Sequence, residues 1–201
     1  LGNAYYVTGL SPTQIYNGNS NVAIASSAGN VAINVNGSGI VSFTTAGIIN
    51  NMGNGVGNIG NATGYFNTAF VKATSAQYAD LAENYVADAE YEPGTVLSFG
   101  GEHEVTVSST TNDQRIAGVV STNPSYVMNA TLEGEYVATI ALTGRVPTKV
   151  SGPVAKGDMM ISAGNGRAIA CATPTIGTVI GKALESNPDS DGVIEVVVGR
   201  L

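Results

Sequence analysis

The first 71 residues contain no Asp, Glu, Lys, Arg or His, and this absence limits what the chain can fold into more than any other feature. The first charged side chain is Lys72, and all 8 basic and 15 acidic residues follow from there. A surface without charge has to be built from Asn, Ser, Thr and Gly. Within the neutral stretch, short β-patterned runs recur between Gly and Asn: Val22 and Ile24, then Val31, Ile33 and Val35, then Val41 and Phe43, then Ile48 and Ile49. Asn17-Gly18, Asn36-Gly37, Ser38-Gly39 and Asn54-Gly55 supply residues that tolerate positive φ, so tight turns are expected there. As a monomer such a chain is poorly protected, because its strand edges lack the Lys and Glu that discourage edge-to-edge pairing. Winding three chains together removes those edges. The expectation for residues 1–72 is therefore a trimeric stem, a β-prism or β-helix-like structure, with a boundary near Thr68 to Ser75.

Residues 73–201 carry all the charge and form the expected second domain. Tyr78, Leu81, Ala82 and Tyr85 recur at spacings of three and four, which predicts one short helix over 74–85, N-capped by Thr74 or Ser75. Glu92-Pro93-Gly94 ends that pattern. Strands are expected over 96–99, 104–107, 116–120, 136–142, 159–161, 168–170 and 193–198, with Asn165-Gly166 as a hairpin turn. The fold class is thus mainly β, a stem followed by a β-barrel or β-sandwich domain with one short helix.

Composition narrows the function. A formal charge of -7 argues against nucleic-acid binding, which needs clustered Lys and Arg. No apolar run approaches the roughly 18 residues that span a bilayer, so membrane insertion is not expected. The single cysteine, Cys171, forms no internal disulfide and fits folding in a reducing cytoplasm. The chain begins with Leu1 rather than Met, as a fragment or processed product would.

Several segments carry a resemblance. N-I-G-N-A-T-G-Y-F-N-T-A-F at 58–70 resembles the passage from stem to C-terminal domain in phage tail-fibre proteins. Y-A-D-L-A-E-N-Y from Tyr78, Y-E-P-G-T-V-L from Tyr91, R-I-A-G-V-V-S from Arg115 and L-T-G-R-V-P-T-K-V-S-G-P-V-A-K-G-D from Leu142 resemble the C-terminal domain of structural proteins from marine and other large tailed phages. The chain is also similar, more distantly, to the self-cleaving chaperone domain of phage neck appendages. The resemblance implies a virion location after assembly in the host cytoplasm. It further implies a homotrimer, contact with other tail or virion proteins and with a host surface receptor, and a C-terminal domain that nucleates trimerisation or caps the tip. A head fibre or capsid decoration protein is the alternative placement.

Candidate chemistry is sparse. On a helix, Asp80 and Glu83 would share a face and could act on a scissile peptide near Ser75, within a few residues of the charge boundary. The plainer account makes them the solvated face of a helix. Eight acids lie between Lys72 and Arg115 with no base among them, and Asp88, Glu90 and Glu92 alternate as one wet face of an extended segment. Asp189-Ser190-Asp191-Gly192 lacks the later Glu that a calcium loop needs. No metal site or cofactor is expected. His103, between Glu102 and Glu104, is the only histidine, so a histidine-based triad has one place to form. Cys171 is expected as a small core residue. For receptor contact, the polar loop with Asn123, Ser125, Tyr126 and Asn129 offers an aromatic ring among hydrogen-bonding groups.

Overall fold

The computed structural model describes residues 14–24, 29–53, 55–61, 63–70 and 79–199. It is mainly β, with fifteen strands in two sheets and no helix among the described residues. The chain divides into two compact units, 1–71 and 72–201.

The neutral unit is an antiparallel meander of β1 (Gln14–Asn17), β2 (Ser20–Ile24), β3 (Val31–Val35), β4 (Ser38–Thr44) and β5 (Gly47–Asn50), paired in sequence order. Asn36 and Gly37 both take positive φ and close the β3–β4 hairpin as their types predict. Ser38-Gly39 makes no turn; both residues lie inside β4. Register sorts the side chains by face. Ile15, Val22, Ile33 and Val41 stand opposite one another in one cross-strand row, and Ile24, Val31, Phe43 and Ile48 form the next row on the same side. The other side carries Gln14, Tyr16, Asn21, Asn34 and Ser42. There Asn34 Nδ2 donates to Asn21 Oδ1 at 2.5 Å and Asn21 Nδ2 donates to Gln14 Oε1 at 3.0 Å. No described residue of this unit is buried, even on the apolar side.

The charged unit is built from β6 (Asp80–Ala87), β7 (Val96–Phe99), β8 (Val105–Val107), β9 (Ile116–Val120), β10 (Tyr126–Met128), β11 (Tyr136–Ser151), β12 (Met159–Gly164), β13 (Arg167–Ala170), β14 (Val179–Ala183) and β15 (Asp191–Gly199). Its pairings close twice. The order β6-β8-β7-β9-β11 returns from β11 to β6, and the order β11-β13-β12-β14-β15 returns from β15 to β11. Two five-stranded rings therefore share β11, whose first half belongs to one and whose second half belongs to the other. One apolar cluster, around Leu97, Val105 and Ile140, fills the first ring. The other, around Met160, Ile180, Val196 and Val198, fills the second and also takes in Val96, Val119 and Ala141 of the first.

The rings repeat each other. Adding 63 to a residue number in β6 to β9 gives its counterpart, so that Gly94 matches Gly157 and Gly118 matches Gly181. The backbone bonds match in the same way. Gly94 N to Val120 O corresponds to Gly157 N to Ala183 O, and Ser108 N to Val96 O corresponds to Cys171 N to Met159 O. A Cβ on Gly118 would meet Ala141 O at 2.5 Å, and one on Gly181 would meet Val197 O at 2.0 Å, so the same close approach of the fifth strand demands glycine in both rings. The rings differ after the fourth strand, where only the first carries an extra strand, β10, parallel to β6.

Residues 80–85, expected in the short helix, are strand β6, while 74–78 lie outside the described residues. The three-and-four spacing of Leu81, Ala82 and Tyr85 is overridden by pairing of β6 with β11 on one side and β10 on the other. Cys171 sits one residue beyond β13 and is half-buried, not in the core.

Candidate functional site

Asp80, Ser121, Ser125 and Arg145 of the charged unit converge where β6 begins. Asp80 is 5% exposed. Its Oδ2 accepts from Ser121 Oγ at 2.6 Å, and its backbone carbonyl accepts from both the N–H and the Oγ of Ser125, at 2.8 and 2.7 Å. On the other side Arg145 N donates to Ala79 O at 3.2 Å. Asp80 stands opposite Gly144 on β11, and a Cβ on Gly144 would lie 2.1 Å from Ala79 O. Glycine at 144, with φ at 116°, is what allows β11 to pass this close.

Ala79, Asp80, Ser121 and Arg145 border a cavity of about 290 Å³, lined also by Thr122, Asn123, Pro147 and Glu195. The structure thus joins Asp80 to the Asn123–Asn129 loop, two groups of candidates that are more than forty positions apart in the chain. It separates Asp80 from Glu83, because residues three apart on a strand point to opposite faces. Glu83 Oε2 instead accepts from Tyr85 OH at 2.6 Å. Ser75 lies outside the described residues.

Within the loop, Ser125 and Asn129 work as fasteners. Ser125 is bonded to Asp80, and Asn129, at φ 54°, donates from Nδ2 to Asn84 O at 3.3 Å. Tyr126 opens β10 and is 63% exposed, beside the exposed Asn123. The loop is thus part strand, pinned by β6. The arrangement offers a carboxylate already holding a hydroxyl proton, a guanidinium at Arg145 and an outward tyrosine ring. That is chemistry for binding a polar group through hydrogen bonds and stacking. A nucleophile paired with an imidazole is not part of it, since no histidine borders the cavity.

The remaining candidates are structural. Burial by itself would raise the carboxyl of Asp88, but hydrogen bonds from Tyr91 and Thr106 and the charge of His103 outweigh it and hold the group below the usual carboxylate range. Tyr91 is pushed up, first by burial and then by its 2.5 Å bond to Asp88, and its oxygen also accepts from Val107 N. Asp113 follows the same pattern. Burial opposes its charge, and bonds from Arg115 and Ser98 prevail. Asp189 and Ser190 form a bend leading into β15. Among the described residues no group of three or more His, Cys, Asp or Glu is arranged to hold a metal ion, and no helix is long and apolar enough to cross a membrane.

Ser121, Gly144 and Arg145 were missed as candidates. Their contact with Asp80 joins strands that are distant in sequence, and the only local signal is the Gly-Arg pair itself inside L-T-G-R-V-P. Compared with protein families and with curated proteins, the chain matches none of them.

Proposed function

We propose that this chain is a structural component of a virion appendage of the tail-fibre type, assembling as a homotrimer and contributing to host attachment. The observation that carries the reading is the apolar face of the neutral sheet. Two rows of four aliphatic or aromatic side chains, one across β1–β4 and one across β2–β5, cover this face, with Ile15 60% and Ile48 69% exposed in the single chain. A five-stranded meander with nothing buried lacks the core that independent sheets need. Because no residue of this unit is charged, identical faces meet without like-charge repulsion, and the occupant that suits the face is the same face of two further copies. The amide ladder of Gln14, Asn21 and Asn34 then faces water, which gives a prism-like stem with a wet, uncharged exterior.

The charged unit would lock the trimer or form its tip, in a virion assembled in the host cytoplasm. Its exposed Tyr126, with Asn123 and the cavity at Asp80 and Arg145, supports a receptor contact of polar, glycan-like chemistry. The test is light-scattering mass together with denaturing intact mass, for a chain of 20.3 kDa. Three chains of full length are expected. A stable monomer overturns the stem. Two complementary fragments that meet near Ser75 to Ala79 would instead favour the self-cleaving chaperone, and labelling of virions distinguishes tail from head.

A further inference from the structure

The repeat provides a template for a second binding surface. On the first ring, the surface around Gly94, Val96, Ser108, Val119 and Ala141 is fully covered, and what covers it is the second ring. Lys149 N donates to Gly94 O at 2.9 Å. The Asn165-Gly166 hairpin turn inserts alongside, so that Val96 N donates to Gly166 O and Gly166 N donates to Ser108 O, both at 2.9 Å. Charge assists, since Lys149 Nζ lies 2.8 Å from Glu92 Oε2.

On the second ring the counterpart surface is open. Gly157 is exposed where Gly94 is buried, Lys182 is exposed where Val119 is 0% exposed, and Val197 is 39% exposed where Ala141 is 0%. Among the described residues no backbone bond outside the strand ladders takes up Gly157 O, Met159 N or Cys171 O, the counterparts of the three bonded groups above. A cleft of about 540 Å³ lies here, floored by Ala183, Leu184, Val197 and Val198 and rimmed by Lys156 and Lys182. The sign of the rim is reversed. Where the first ring offers Glu92 to a lysine, the second offers two lysines.

We infer that this cleft receives the β7–β8 hairpin of a neighbouring copy of the same chain. That hairpin is the first ring's counterpart of the turn that fills the template, with Gly101 standing where Gly164 stands, and its tip is exposed. It carries Glu102, His103 and Glu104. Glu104 accepts from Val86 N at 2.7 Å, which leaves the exposed Glu102 as the outward charge for Lys156 and Lys182. The contact is head-to-tail, so it closes when the rotation between copies divides the circle, and three copies satisfy that. The inference rests on the trimer proposed above and supplies a second lock for it, in the charged unit.

The experiment is a cysteine pair, Glu102→Cys with Lys182→Cys, in a Cys171→Ser background; serine suits 171 because Ser108 is its counterpart. Under mild oxidation by oxidised glutathione, a ladder of covalent dimer and trimer is expected on a non-reducing gel, and neither single variant alone should give it. A chain that scatters light as a trimer but gives no ladder, or only an intrachain bond, overturns the hairpin contact while leaving the stem reading intact. A monomer overturns both. As a second measurement, coupling between residues 102 and 182 by a lysine–carboxylate coupling reagent should be lost in Glu102→Lys, which leaves two amines, and in Lys182→Glu, which leaves two carboxylates, and the double swap should restore it to within about threefold of the parent. Failure of the double swap to restore coupling counts against the contact.

Discussion

Replacing Gly181 by alanine places a methyl group 2.0 Å from Val197 O and 2.8 Å from Val197 C, where real Cβ atoms essentially never come within 3.0 Å. Both neighbours are backbone, so no side chain can swing aside. Strand β14 must therefore move about 1 Å from β15, which stretches their hydrogen bonds beyond useful length. These two strands meet over three register pairs, Gly181 with Val198, Lys182 with Val197 and Ala183 with Val196. Losing two or three bonds at about 1 kcal/mol each, with about 1–3 kcal/mol of overpacking, gives a loss of about 3–6 kcal/mol. For a unit of this size that lowers the melting temperature by roughly 10–20 °C. Two neighbouring glycines calibrate the result. A Cβ on Gly199 meets nothing within 4 Å, so Gly199→Ala should cost under about 0.5 kcal/mol. Gly157 has open space but a φ of 95°, so Gly157→Ala should cost about 1–2 kcal/mol from backbone strain alone. Scanning calorimetry of the full-length chain reads all three. If Gly181→Ala melts within about 3 °C of the parent, the close approach that defines the repeat is not a constraint and the reasoning fails.

Other substitutions probe separate parts. Leu97→Ala empties a fully buried position in the first ring and should cost about 2–5 kcal/mol by urea unfolding, with an unchanged slope. Ser121→Ala removes the proton donor to a carboxylate that is 5% exposed and should cost about 1–3 kcal/mol, while Ser121→Thr retains most of it. Asp113 is held below the usual carboxylate range when folded, so its stabilising contribution is complete above about pH 4 and disappears as pH falls through the folded value. Asp113→Asn should then be destabilised at pH 7, and its stability should fall less between pH 5 and pH 2 than that of the parent; parallel pH profiles would count against the assignment.

Much of the β organisation is legible in the sequence because period-two patterning and Asn-Gly turns act locally. Residues 96–99 and 116–120 are strands at the expected bounds, and Asn165 and Gly166 both adopt the positive φ of a hairpin turn. What the sequence hides is set by distant partners. Leu81, Ala82 and Tyr85 fit a helical spacing until β11 and β10 claim both edges of the segment. The duplication is equally quiet, since Phe99 answers to Ser162 and Val119 to Lys182, pairs that share little chemistry. Among the glycines, Gly94, Gly101 and Gly118 keep their type 63 residues on; backbone crowding requires it at Gly118 and Gly181, and positive φ favours it at the other two pairs. The Asp80 cavity was half visible. Its carboxylate and its loop are both apparent, but the bond between them depends on β10 lying parallel to β6.

The sixteen residues of β11 have a mechanical consequence. Tyr136 to Gly144 are bonded to β6 and Thr143 to Ser151 to β15, so one continuous strand is a wall of both rings. The two sets of pairs overlap at Thr143 and Gly144, so an opening of either ring that reaches those residues disturbs the pairing of the other. Force or heat applied at either end should therefore meet a single yield point instead of two successive ones, and the amides between Ile140 and Thr148 should be among the last to exchange with deuterium. In the proposed virion appendage such a unit would hold fully up to its limit and not give way in stages.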